Sequence, residues 1–137
     1  MNKPHIQDPV ILNNHITHKS GKAKTVCVTA CLTALGIPVD AFQVTGTLKK
    51  PNYTAILSKQ GFAYRSRMSK MPKGATIGKC RPAIKKLNED VVYFVVVNGS
   101  GYCHAVLLDS EGNTLVDTDP RLKDKRKVHS IHAVYSK

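Results

Sequence analysis

The sequence has no tryptophan, few other aromatic residues and no long apolar run. Its 137 residues include five Tyr and three Phe, so the rings that stack on bases in single-strand-binding proteins are scarce. No apolar stretch approaches the roughly 20 residues that a membrane-spanning helix needs. The first residues, 1–5 (Met-Asn-Lys-Pro-His), lack the apolar segment of a secretory signal. We therefore expect a cytoplasmic protein with no membrane partner.

Acidic residues are scarce as well. Nine Asp and Glu stand against 21 Lys and Arg, which gives a formal net charge of +12. Such a charge attracts acidic partners, whether nucleic acid, an anionic protein surface or an acidic substrate. The densest basic cluster follows Pro120 and supplies the candidate partner-binding residues Lys123, Lys125, Arg126 and Lys127. The competing interpretation of this cluster is a solvated, solubilising loop.

Cysteine is limited to Cys27, Cys31, Cys80 and Cys103. The chain is longer than most disulfide-stapled domains and shows no export signal, so we expect reduced thiols. Cys27 and Cys31 lie four residues apart, but no second Cys/His pair has the spacing of a zinc site. We therefore expect neither a metal nor a cofactor.

The order of the predicted elements indicates an α+β domain. Residues 1–24 are polar and predict an N-terminal arm, while 25–137 predict a single domain. A helix is predicted from an N-cap at Thr25 to a left-handed C-cap at Gly36. A loop is expected over 71–80, and Pro82 suits the first turn of a further short helix. An alternating edge strand with outward arginines is predicted over 62–68, and a strand buried on both faces over 91–97. Further strands are predicted over 102–108, 114–117 and 128–135, with 91–97 and 102–108 forming a hairpin.

Three residue types in a fixed order suggest thiol chemistry. Cys27 falls in the first turn of the first helix, where the helix dipole and open N–H groups favour the thiolate. His104 lies on the second hairpin strand, and we expect it to face this helix and to take the thiol proton. Asp119, with Asp117 as the reserve, can accept from the second ring nitrogen. Taken singly, each residue also fits an ordinary structural role.

These residues resemble a known group. The segment 27–38 (Cys-Val-Thr-Ala-Cys-Leu-Thr-Ala-Leu-Gly-Ile-Pro) is similar to the cysteine box of the papain-like C39 peptidases and their stand-alone relatives. The segment 101–108 (Gly-Tyr-Cys-His-Ala-Val-Leu-Leu) is similar to the family's histidine strand, and 116–120 (Val-Asp-Thr-Asp-Pro) to its Asp-Pro element.

The resemblance implies both a fold and roles. The fold is papain-like, with an N-terminal helix that carries the cysteine packed on a C-terminal antiparallel sheet. Cys27 is then the nucleophile, His104 the general base and later acid, and Asp119 or Asp117 the orienting residue. The family pattern is not fully kept: Val28 replaces the usual Gly, Gly21 stands where a Gln donates to the oxyanion, and no Gly follows Pro120.

Two functions are consistent with these residues. The leading hypothesis is a papain-like thiol hydrolase, a peptidase or isopeptidase that acts on a protein or peptide through a Cys27 acyl-enzyme. The alternative is a catalytically weak papain-like domain that binds an acidic protein or nucleic-acid partner through its basic surface. Loss of one oxyanion donor costs about 10²–10³ in rate, which motivates the alternative. A small basic protein of this kind suits a bacteriophage, and its location is then the host cytoplasm or the virion.

Overall fold

The chain is built around one antiparallel sheet. The computed structural model describes residues 3–6, 30–37, 50–98, 103–117 and 124–137. Within these ranges the strands are β1 (Phe62–Ser66), β2 (Val92–Asn98), β3 (Cys103–Leu108), β4 (Thr114–Val116) and β5 (Val128–Ser136). Their order across the open sheet is β1-β5-β2-β3-β4, and every neighbouring pair is antiparallel. The α+β prediction and the predicted hairpin of β2 with β3 are confirmed.

Helices cover both faces of this sheet. Residues 30–34 are helical and form α1, the described part of the predicted cysteine helix. The other helices among the described residues are α2 (Lys50–Lys59) and α3 (Ile77–Leu87), with a 3₁₀ turn at Met68–Lys70 between β1 and α3. Among the described residues, no helix combines the length and the apolarity needed to cross a bilayer.

The first core lies between one face of the sheet and the helices α1 and α2. Its buried members include Cys31, Leu32, Leu35, Tyr53, Leu57, Phe94, Ala105, Leu107 and Val116. The rings of Tyr53 and Phe94 stack with centroids 4.4 Å apart, a geometry worth about 0.5–1.5 kcal/mol beyond burial. Ile6 also packs on this core, so at least this part of the N-terminal segment is anchored to the domain.

The second core lies between the opposite face of the sheet and α3. Ile77, Cys80 and Ile84 face inward from one side of the helix. They meet sheet residues that include Tyr93, Val95, Val97, Val106, Leu108 and Ile131. Helices on both faces leave β2 buried on both sides. This explains its continuous β-branched and aromatic sequence and confirms the prediction of a doubly buried strand.

The end of the first helix is also as predicted. Gly36 has φ +85°, a conformation that residues with a Cβ rarely adopt. Its N–H donates to the Thr33 carbonyl (2.9 Å), and the Ile37 N–H donates to the Leu32 carbonyl (3.2 Å). This pair of bonds is the Schellman arrangement, which satisfies carbonyls left open at a helix end. The predicted cap at Thr25 lies outside the described residues.

The start of α3 differs from the prediction. The helix begins at Ile77, within the expected loop, because the Thr76 hydroxyl caps it by accepting from the Lys79 N–H at 3.4 Å. The Ile77 N–H donates to the Arg126 carbonyl at 3.0 Å, a contact from a distant part of the chain. Backbone N–H groups in the first turn of α3, which have no acceptor within the helix, thus find acceptors elsewhere. Pro82 consequently lies inside the helix rather than at its start.

Candidate functional site

A buried histidine–aspartate pair joins β3 to the end of β4. His104 Nε2 lies 2.8 Å from Asp117 Oδ1, and the two side chains are 2% and 4% exposed. The pair forms because β3 and β4 are antiparallel neighbours with Leu107 opposite Val116. Following β4 beyond Val116 therefore leads back along β3 towards His104. The arrangement holds a carboxylate against the imidazole without contact with bulk water.

Arg126 completes this cluster. Its Nη2 donates to Asp117 Oδ2 at 2.5 Å and its Nη1 to Oδ1 at 3.5 Å, so one carboxylate serves both the guanidinium and the imidazole. Arg126 is itself only 8% exposed. Its backbone is held as well, since its carbonyl accepts the Ile77 N–H of α3. The guanidinium therefore compensates the buried charge of Asp117 and fixes the position of the carboxylate.

This geometry assigns different tasks to the two imidazole nitrogens. Nε2 faces Asp117, which sets the ring orientation and stabilises the imidazolium whenever the ring takes up a proton. Nδ1 is then the nitrogen through which the ring can exchange a proton with another group. Chemically, the cluster can act as an oriented general base and acid. The second positive charge, on Arg126, offsets part of the field that Asp117 exerts on His104.

His104 lies on the face of the sheet that α3 covers. Directly opposite residues of an antiparallel pair project to the same side, and His104 is opposite Val97, a member of the second core. Helix α1 packs in the first core, on the other face, which differs from the expected orientation of His104 towards the cysteine helix. The sheet therefore lies between α1 and the imidazole. His104 is the second residue of β3, close to the end of the sheet where that strand begins.

Other sequence-predicted residues fall in three places. Cys27, Asp119 and Lys123 lie outside the described residues. Lys125 and Lys127 are exposed, as a partner-binding surface requires. The assignment of Arg126 to that surface is corrected, because its guanidinium is buried against Asp117. This role could not be predicted, because nothing in the local pattern separates Arg126 from the four other basic residues around it.

Cys31 and Cys80 are core residues. Cys31 is buried in the first core, as is usual for a cysteine in an apolar helix. Cys80 is buried under α3, and this burial raises the pKa of its thiol to about 11. In the part of the chain that the structure describes, no group of three His, Cys, Asp or Glu side chains is arranged as metal ligands.

A second buried polar contact lies in the first core. The Tyr53 hydroxyl is 3.4 Å from His132 Nδ1, and the His132 ring also meets Tyr64 edge-on. Burial raises the pKa of Tyr53, and a hydrogen bond with Ser130 partly offsets this rise. The Tyr53 hydroxyl and the His132 ring contact each other inside the core. They show the ordinary structural role of a strand histidine, whereas His104 is held in a cluster with two charged groups.

The comparisons with known proteins find no relative. No protein-family model, no curated protein and no solved structure matches the chain. The assignment of a function therefore depends on the residues and geometry described above.

Proposed function

We propose that the protein is a papain-like thiol hydrolase, of the peptidase or isopeptidase class, with Cys27 as the nucleophile. The observation that supports this most is the buried pair of His104 with Asp117 on neighbouring strands. Asp117, the reserve choice from the sequence, becomes the favoured orienting residue because its oxygen contacts the imidazole. The order Cys27, His104, Asp117 along the chain is the order that the papain-like resemblance implies.

The proposed reaction has two steps. In the first, the Cys27 thiol gives its proton to His104 Nδ1, and the sulfur attacks the carbonyl carbon of an amide. The imidazolium then protonates the departing amine, which leaves an acyl group on the sulfur. In the second, His104 takes a proton from water while the water oxygen attacks the acyl carbon. The same proton returns to the sulfur as the C–S bond breaks, and the carboxylic acid is released.

A second candidate function is favoured by the side of the sheet on which His104 lies. Because α1 packs on the opposite face, the Cys27–His104 contact requires the cysteine to approach around the end of the sheet. If it does not, the His104–Asp117–Arg126 cluster is a structural network in a papain-like domain that acts by binding. The two functions differ in one measurable property, the reactivity of Cys27.

The test is the rate of iodoacetamide alkylation at each cysteine as a function of pH, assigned by mass spectrometry. An activated Cys27 is alkylated at pH 6, well below the unperturbed thiol pKa of about 8.5. Cys80 is an internal control in the same sample, since its pKa of about 11 keeps it protonated. We expect Cys27 to react at pH 6 at least about tenfold faster in the unchanged protein than in the His104→Ala variant, whereas Cys80 stays unreactive in both.

The matched variant is His104→Ala, checked by circular dichroism for an intact fold. We expect its Cys27 to be alkylated with the pH dependence of an ordinary thiol. If Cys27 of the unchanged protein already behaves as an ordinary or buried thiol, the hydrolase proposal is wrong and the binding function is favoured. If an amide-hydrolysing activity survives Cys27→Ala, the assignment of the nucleophile is wrong.

A further inference from the structure

The outward side of α3 forms one wall of a groove. The apolar side chains that line this groove are called its floor below. The groove has a volume of about 500 Å³ and lies between this helix and the segment 70–72. Pro82, Ala83 and Leu87 line it from the helix, and Met71 lines it from the opposite wall. Pro82 is exposed, while Ala83 and Leu87 are half-buried. Met71 is also a member of the second core, and Ala83 and Leu87 pack against that core, so the apolar lining of the groove is continuous with the packing that holds the helix in place.

The rim of the groove is positively charged. Lys70, Lys79 and Lys86 line it and are exposed, and no Asp or Glu is among the described residues that line it. Lys79 and Lys86 lie two helical turns apart, on either side of Pro82 and Ala83. The charge is not neutralised by near neighbours in the sequence, since the chain has no acidic residue between Asp40 and Glu89.

Nearby basic residues outside the groove behave differently. Arg81 forms an ion pair with Asp124 at 3.2 Å, and Lys85 approaches Glu111 at 3.7 Å. Both therefore have carboxylate partners within the protein, whereas the groove lysines form no ion pair with another described residue. A ligand that supplies carboxylates beside apolar side chains matches both the rim and the floor.

We infer that this groove, formed by Lys70, Met71, Lys79, Pro82, Lys86 and Leu87, binds an acidic amphipathic segment of another protein. Apolar side chains of the segment cover the floor, and its carboxylates pair with the lysines. A nucleic acid fits less well because, among the described residues, no aromatic ring or arginine lines the groove to stack on bases. The inference does not depend on the hydrolase proposal, since the groove shares no residue with the His104–Asp117–Arg126 cluster.

The test uses fluorescence anisotropy with a labelled peptide of 11 residues, the length of α3. The peptide carries Glu and Leu at helical spacing, so that one face is acidic and the other apolar. A matched peptide with Ser in place of every Leu tests the floor. We expect it to bind at least about fivefold more weakly, because its contact with the floor is lost. A single-stranded oligonucleotide of equal charge tests the nucleic-acid alternative.

The rim is tested by the double variant Lys79→Glu/Lys86→Glu. We expect the affinity for the Leu peptide to fall at least about tenfold, because two attractive charges become repulsive. The matched control is Lys3→Glu/Lys59→Glu, which changes the net charge equally at two exposed lysines outside the groove. It leaves the affinity within about twofold of the unchanged protein.

Four results contradict the inference. Equal losses in the two double variants mean that binding follows net charge rather than this groove. Equal binding of the Ser peptide means that the floor has no role. Tighter binding of the oligonucleotide, lost in the same rim variant, identifies a nucleic-acid site instead. Absence of binding of the Leu peptide at low salt excludes the proposed class of partner.

Discussion

Asp117 and Asp119 are two residues apart, and the sequence leaves both open as the residue that orients His104. The structure brings Asp117 Oδ1 to 2.8 Å from His104 Nε2. We therefore predict that Asp117→Asn slows alkylation of Cys27 near neutral pH by at least about tenfold. An amide no longer stabilises the imidazolium and permits the wrong tautomer of the ring. The measurement is the site-resolved alkylation rate between pH 5 and 9.

Asp119→Asn is the matched control for this prediction, because it makes the same chemical change two residues away. Its Cys27 is expected to react as in the unchanged protein. A large effect of Asp119→Asn together with none of Asp117→Asn reverses the assignment. In that case the contact of Asp117 with His104 is structural, and the original choice of Asp119 is restored.

Arg126 is the residue whose role differs most from its expected place on the surface. Arg126→Met removes the cation that compensates a buried carboxylate, so we predict a loss of about 3–5 kcal/mol in the free energy of unfolding. Urea denaturation at pH 7 measures it. Lys125→Met, at the exposed neighbouring position, is expected to stay within about 0.5 kcal/mol of the unchanged protein. A similarly small change for Arg126→Met is incompatible with a compensated buried charge.

At the scale of elements, a charged clamp joins β1 to the connection between α3 and β2. Arg67, just after β1, donates from Nε to Glu89 Oε1 at 2.9 Å and pairs through Nη2 with Oε2. The Tyr93 hydroxyl donates to the same carboxylate at 2.9 Å. The alternating pattern of this strand predicts outward arginines. That holds for Arg65, but Arg67 is turned inward because Glu89 holds it.

The clamp predicts a pH dependence of stability. Hydrogen bonding to Arg67 lowers the pKa of Glu89 below its usual value. Glu89 therefore stays ionised in the folded protein at pH values at which it is already protonated in the unfolded chain. The stabilisation is therefore present above the unfolded pKa of about 4.3 and is lost as pH falls through the lower folded pKa. Arg67→Met is expected to be less stable at pH 7 and to lose less stability on acidification.

Urea titrations at pH 7 and at pH 3.5 measure both effects, with Arg65→Met as the control on the same strand. Arg65 is exposed, and its removal is expected to change stability by no more than about 0.5 kcal/mol. An identical loss of stability on acidification in Arg67→Met and in the unchanged protein contradicts a clamp formed by Glu89.

Elements whose signals are local were predictable from the sequence. The run at Val92–Asn98 indicates a doubly buried strand because nearly every position is suited to burial, and Gly36 ends α1 because it alone accepts the required φ without strain. The start of α3 was predictable only in part. Thr76 is a local N-cap candidate, but the Ile77 N–H donates to the Arg126 carbonyl, which the fold brings from a distant part of the chain.

At the scale of the whole molecule, the candidate site likewise combines features that are predictable from local sequence with features that depend on distant parts of the chain. The pairing of His104 with a nearby aspartate is predictable from their order on consecutive strands, because neighbouring strands bring such residues together. The choice of Asp117, the burial of Arg126 and the side of the sheet that His104 faces depend on register. Register is set by the hydrophobic pattern of the paired strands and by the turns between them, and a slip of one residue turns every side chain to the other face.

The position of β5 has a consequence for how the protein is made. β5 follows β1 to β4 in sequence, yet it lies between β1 and β2 and is the strand that connects them. While residues 128–136 are still within the ribosome, β1 lacks its neighbour in the sheet, and the apolar strand β2 is an unprotected edge. Such edges recruit strands from other chains. Aggregation, or the need for a chaperone, is therefore greatest in nascent chains that stall before β5 has left the ribosome.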